Sequence, residues 1–326
     1  MQKTFLIICL FIAMVSCNKE TKQNTEVKME VTNNCIPTFN ADSAYNYTAQ
    51  QVAFGPRVPN SKAHKACANY FISEFKKFGA EVIEQDATLR TYDNIALEAK
   101  NIIASFNLEN KNRILLCAHW DSRPFADHDS NPDNHKTPID GANDSAGSCG
   151  ILMEIARQIG INNPTIGVDI ILFDAEDWGV PKFENKYEGG WCLGSKYWAA
   201  NPHTQGYTAK YGILLDMASA KNARFYKETV SMYYASDIVK KVWQKAHELG
   251  YEEYFVNKYG GSIEDDHVPV NQIRKIPCID IIQSDPNSQN GFGSYWHTVD
   301  DNMDAVSKET IKAVGETITH IIYNEK

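Results

Sequence analysis

Several things are missing from this chain of 326 residues, and each absence narrows what it does. No Cys-x-x-Cys pair occurs, so thiolate zinc modules are excluded and any metal would be held mainly by carboxylates and histidines. Basic stripes are absent and the formal net charge is −9, which argues against a nucleic-acid surface. The apolar run Phe5–Val15 is too short to span a bilayer, which takes roughly 20 residues. No internal repeat is found, and low complexity is confined to one polar stretch near the N-terminus. What remains is the composition of a globular protein, 43% apolar and 22% charged, long enough to bury one full core.

The N-terminus reads as an address. Lys3 precedes the apolar run, and "MVSC" closes it at Cys17. A small residue before a cysteine at that place looks like a bacterial lipoprotein signal, with Cys17 lipidated after cleavage; an ordinary signal peptide is the alternative. Residues 18–34 are polar and patternless, so a flexible tether is expected over 18–36 and a single catalytic domain over 37–326. These expectations place the protein in the bacterial envelope, lipid-anchored, facing the periplasm or the outer surface, with membrane contact through the anchor alone. Cys35, Cys67, Cys117, Cys149, Cys192 and Cys278 would remain, in a compartment that permits disulfides, with pairing not readable.

Downstream, hydrophobic spacing predicts helices near 39–54 and 63–79, then strands at 81–90, 100–107 and 113–118. A helix over about 145–159, a strand at 168–173, a helix near 194–200 and a strand at 211–216 follow. A helix at about 231–249, a strand at 277–282 and a closing helix complete the pattern. This is an α/β fold, a mostly parallel mixed central sheet covered by helices on both faces.

Ligands of open α/β sheets sit at the carboxyl ends of the strands. There the chain places His119 and Asp121, then Asp174, Glu176 and Asp177 in "LFDAEDWG", then Asp216, and finally Gln283, Ser284 and Asp285 with His297 beyond; Asp144 stands ahead of a helix. Each has a bland role in isolation: Asp144 as a helix cap, His119 in the core, Glu176 and Asp177 on a solvated loop. Their recurrence at consecutive sheet edges favours a metal site. Asp144, Asp177 and His297 make a three-ligand set that leaves a coordination position open, and Glu176, beside Asp177, is free to carry protons.

The ordered motifs "AHWDSRP", "GANDSAG", "DAEDWG", "LGSKYWA", "GILLDM", "DDHVP" and "YWHTVDDN" resemble the zinc-dependent aminopeptidase (M28-like) family from about Phe39 to the end. Within it they are most similar to the animal-type glutaminyl-peptide cyclotransferases. Asp265 preceding Asp266 and His267, and Trp296 before His297, favour that branch over the peptidases. The resemblance implies one zinc ion, held by Asp144, Asp177 and His297, and Glu176 as general base and then acid. It further implies Asp216 and Asp265 as a carboxylate network around Glu176, and Trp296 with Trp191 or Trp178 as apolar walls. His119 would serve either a second metal ion or the surroundings of the first. Animal cyclases carry two glutamates where this chain has Glu176 and Asp177, so the expected ligand is one methylene shorter and the metal or backbone must shift to meet it. The implied reaction closes an N-terminal glutamine of a peptide into pyroglutamate with release of ammonia. The alternatives are a two-metal aminopeptidase and a lipoprotein that binds peptides without turnover.

Overall fold

The computed structural model describes residues 36–326 apart from 185, 187 and 188; Cys17, Cys35, the expected signal segment and all but the last residue of the expected tether lie outside the described residues. Two helices open the fold, α1 (Ala41–Val52) and α2 (Lys62–Lys77), followed by strands β1 (Glu81–Arg90), β2 (Ala96–Phe106) and β3 (Arg113–His119). Then come α3 (Ser148–Ile161), β4 (Gly167–Phe173), α4 (Leu193–Ala200), β5 (Gly212–Asp216), β6 (Phe225–Lys227), α5 (Thr229–Glu248) and β7 (Phe255–Tyr259). A single helical turn α6 (His267–Pro269), strand β8 (Cys278–Ile282) and α7 (Lys308–Asn324) close it.

The sheet runs β1-β2-β4-β3-β5-β8. Strands β4, β3, β5 and β8 are parallel, while β2 pairs antiparallel with both β4 and β1. Every residue of β4 is buried, as expected of a central strand with both faces covered. Alternation divides the apolar residues between two cores. Ile114, Leu116 and Ala118 of β3 join the larger one with Phe71, Leu152 and Ile318 from α2, α3 and α7, whereas Leu115 and Cys117 face Trp198 of α4. Ser61 starts α2 by accepting a bond from the His64 N–H at 3.0 Å, and Gly79, at φ 88°, stops it.

The pattern missed three features. β2 begins at Ala96, four residues early, because Ala96–Lys100 pair with Arg90–Asp86 of the edge strand although they alternate in exposure. The short β6–β7 pair lies apart from the main sheet. The helix expected from Ser145 starts at Ser148, after an irregular turn, Ala142–Gly147, in which Asp144 and Ser145 have non-helical dihedrals. Asp144 is therefore no conventional cap. The described cysteines Cys67, Cys117, Cys149, Cys192 and Cys278 are free and buried.

Glu325 ties the fold's last helix to its sheet. Its buried carboxylate accepts from Lys210 Nζ at 2.5 Å, from Tyr211 Oη at 2.6 Å and from Lys241 Nζ. Burial opposes the charge, but these donors outweigh it and hold the carboxyl at about 2. A depressed acid contributes stability above its unfolded-state value and loses it as pH falls. Glu325→Gln is accordingly expected to cost about 1–3 kcal/mol near neutral pH. In urea titrations the gap from wild type should narrow below about pH 4.5, the ordinary glutamate value, and close toward 2. A gap unchanged down to pH 3 would rule this account out.

Candidate active site

The ends of β4, β5 and β8 open onto one cavity of about 710 Å³, bordered by Asp144, Glu176, Asp177, Asp216, Asp265 and His297. The acids that follow β4 have different tasks. Asp174 is structural: its carboxylate meets His64 Nε2 at 2.8 Å and accepts from the Lys100 N–H at 2.6 Å and the Ala175 N–H at 2.8 Å. Glu176 and Asp177 turn into the cavity instead. Their N–H groups both donate to the Asp121 carboxylate, at 3.0 and 3.2 Å, which fixes the loop from beneath. Asp301 does the same for the opposite wall, accepting from the N–H groups of Asn143 at 2.8 Å and Asp144 at 3.1 Å.

Asp144, Asp177 and His297 are buried, and each presents a ligand atom within 4.8 Å of the other two. His297 Nε2 stands 3.3 Å from Asp177 Oδ1 and 3.6 Å from Asp144 Oδ2. Burial, and then the charge of Asp177, pushes Asp144 up to about 7; burial does the same to Asp177 against the pull of Arg123. Burial and the nearby Arg123 keep His297 well below its usual range, so its imidazole is neutral and neither contact is an ion pair. Asp177 Oδ2 and His297 Nδ1 are buried without hydrogen-bond partners. Two crowded carboxylates and a neutral imidazole with a lone pair are what a divalent cation resolves, and the mixed nitrogen and oxygen donors suit zinc. The residues present therefore fit such an ion.

His119, at the end of β3, lies one layer below. Its Nε2 is 2.9 Å from Asp144 Oδ1 and 3.2 Å from Asp216 Oδ1, and its Nδ1 is 3.5 Å from Asp121 Oδ1. Burial disfavours its charge, yet these three carboxylates outweigh that and raise it well above its usual range. The group His119, Asp144 and Asp216 also has ligand atoms close enough for an ion.

A second acidic group flanks the first. Ligand atoms of Glu176, Cys192, Asp265 and Asp266 lie within 4.8 Å of one another, all buried. Burial, reinforced by Asp265 and Asp266, raises Glu176 far above an ordinary carboxyl; burial and Asp216 do likewise for Asp265. Groups in this state hold a proton far more readily than an ordinary carboxylate, as a proton carrier requires.

Trp296 stacks on the His297 ring at 3.7 Å between centroids, and Trp191 lies nearly parallel to that ring at 5.9 Å. Both border the cavity. Trp178 does not; it packs with Leu97, Ala99 and Ala175. The structure thus brings together Asp144, Asp177, His297, His119, Asp216, Glu176, Asp265, Trp191 and Trp296. Sequence reasoning missed Arg123. This buried guanidinium forks onto Asp127 at 2.7 and 2.9 Å, reaches Asp177 Oδ1 at 3.3 Å and lies 4.7 Å over the Trp191 ring. Nothing in "WDSRPF" marks it, because an arginine in a loop normally points to solvent. Asp127, Asp301 and Cys192 were missed for the same lack of pattern.

Residues 101–322 match the family described as Peptidase family M28. The chain is 27% identical to the glutaminyl-peptide cyclotransferase of Bos taurus over 288 residues, covering 78% of this chain and 74% of that one. Two crystal structures superpose with a TM-score of 0.88, each covering 89% of this chain and 100% of its own. One is a Zn-dependent exopeptidase from Parabacteroides distasonis, 57% identical, and the other is Tannerella forsythia glutaminyl cyclase, 55% identical.

Proposed function

The chain belongs to peptidase family M28, and within it we propose a zinc-dependent glutaminyl-peptide cyclotransferase, an acyltransferase that converts N-terminal glutamine of peptides to pyroglutamate. The observation that carries this reading is Glu176, a buried and charge-crowded carboxyl beside a metal-competent trio, in a cavity walled by Trp191 and Trp296. Identity above one half to a solved glutaminyl cyclase, along the whole of that chain, supports it.

Asp144, Asp177 and His297 would hold the zinc ion, which when bound supplies Lewis acidity to the γ-carbonyl of the substrate glutamine. The α-amine attacks its own γ-carboxamide carbon, a C–N bond forms, and the amide nitrogen departs as ammonia. Glu176 takes the proton from the attacking nitrogen and gives it to the leaving one, so the protein ends the cycle unchanged. Asp265 and Asp216 set the charge around Glu176. The two tryptophans select the folded-back conformer and exclude water that would hydrolyse the amide. His119 braces Asp144 and Asp216. Further out, Cys17 would carry lipid, residues 18–36 would act as tether and the domain over 37–326 would work at the bacterial envelope on peptide or protein N-termini.

Incubating the purified protein with a peptide that starts in glutamine, followed by mass spectrometry, tests the reaction. Loss of ammonia with the chain otherwise intact is expected; loss of a whole residue refutes it. A two-metal aminopeptidase remains the second reading because His119, Asp144 and Asp216 offer another set of ligand atoms. It requires two ions per chain and a free amino acid as product.

A further inference from the structure

Glu176 has two carboxylate oxygens and needs one of them for proton transfer. A glutamate has several rotatable bonds, so the other oxygen must be anchored if the first is to stay aimed at a substrate nitrogen. Among the described residues one side chain hydrogen-bonds to Glu176: the Cys192 thiol, with Sγ 3.1 Å from Oε1. The backbone repeats the link. The Cys192 N–H donates to the Glu176 carbonyl at 3.0 Å, and the Leu193 N–H to the Ala175 carbonyl at 3.1 Å.

Cys192 is fully buried and occupies a left-handed turn, φ 56°, between the cavity wall Trp191 and helix α4. Left-handed backbone favours Gly or Asn, so a cysteine there is not chosen for its backbone. Nor does it resemble the other described cysteines. The thiols of Cys117, Cys149 and Cys278 point to backbone carbonyls, whereas Cys192 alone donates to a carboxylate. Burial, and then the charges of Glu176, Asp266 and Asp265, keep the thiol protonated and therefore a donor.

We propose that Cys192 is a positioning residue whose thiol anchors Glu176 Oε1, leaving Oε2 to exchange the proton with the substrate nitrogen. This role rests on Glu176 being the proton carrier. A trapped thiol suits the task because it is small enough for the turn and too buried to be displaced by water.

The test is steady-state turnover of a Gln-initiated peptide by Cys192→Ala, Cys192→Gly and Cys192→Ser, with metal content and urea midpoints alongside. Alanine removes the donor, and glycine removes it while relieving the left-handed turn, so the pair separates loss of the thiol from strain in the backbone. Both are expected to lower kcat about tenfold, the worth of one buried hydrogen bond, with KM within about twofold and metal unchanged. Serine keeps a donor and should recover kcat to within about threefold of wild type. Wild-type kcat in the alanine or glycine variant, or serine as slow as alanine, overturns the role. Normal turnover in Glu176→Gln would instead remove the base itself, and so separates the two failures.

Discussion

Glu176→Gln is expected to lower kcat on a Gln-initiated peptide by about 10³-fold, within the span typical of a lost general acid–base group. The amide keeps the shape of the carboxyl and can still receive the Cys192 thiol, which is 3.1 Å from Oε1 in the native protein. What it cannot do is accept a proton. Both the removal of a proton from the attacking amine and its delivery to the leaving nitrogen are then left to solvent, which the two tryptophans largely exclude. KM should move little, since the cavity keeps its form. The metal content should also hold, because Glu176 belongs to the group with Cys192, Asp265 and Asp266 and not to the trio of Asp144, Asp177 and His297. Stability should not fall either: burial, Asp265 and Asp266 already disfavour the charged form of the native carboxyl, so a neutral amide of the same shape suits that cluster at least as well. Ammonia release, metal analysis and a urea midpoint on one preparation check all three. Loss of metal together with activity would make Glu176 a ligand, and full activity would end its role as base.

What the sequence disclosed and what it hid divide along a physical line. Strand β4 was readable because seven residues buried on both faces leave a continuous apolar signature, and the acids that stop it are conspicuous for that reason. Of the trio Asp144, Asp177 and His297, drawn from three distant segments, the first two border elements the pattern located, whereas His297 lies well past the end of β8 and was singled out through the segment "YWHTVDDN". By contrast, β6 and β7 form a two-stranded pair in which Asn257, Lys258 and Tyr259 are exposed, so no burial signature marks it. Hidden too were the long-range polar ties. Arg57 is fully buried and donates to the carbonyls of Trp120, Asp140 and Gly141 at 3.1, 2.6 and 2.8 Å, yet in "FGPRVPN" it looks like a surface arginine in a turn. Arg123 grips Asp177 in a similar way. Such residues act through partners dozens of positions away, and no local periodicity records the pairing. The tryptophans show the same limit from the other side. Trp178 and Trp191 were equivalent on paper, and only the path of the chain sends Trp191 to the cavity and Trp178 into the core.

Asp144→Asn should change stability in opposite directions with and without zinc, while turnover falls by about 10³-fold or more as the ion is lost. In the metal-free protein Asp144 and Asp177 are buried together and both are pushed up to about 7, first by burial. The charge of Asp177 adds to the strain on Asp144, and replacing one of the pair by a neutral amide removes the repulsion. The stripped variant is therefore expected to be about 1–3 kcal/mol more stable than the stripped wild type. Its carbonyl oxygen can still accept from His119, whose Nε2 is 2.9 Å from Asp144 Oδ1, so the wall need not collapse. Added zinc reverses the order. An ion that binds only the folded state stabilises wild type by about 4 kcal/mol at a thousandfold excess over its Kd, and the variant, short of one anionic ligand, gains far less. Urea titrations of both proteins, each with chelator and with zinc, give four midpoints, and the two curves must cross. The choice of Asp144 also makes the result independent of metal count, since Asp144 belongs both to the trio and to the group with His119 and Asp216. Equal stabilisation of wild type and variant by zinc would mean that the ion sits elsewhere, and the placement of the metal in this cavity would fail with it.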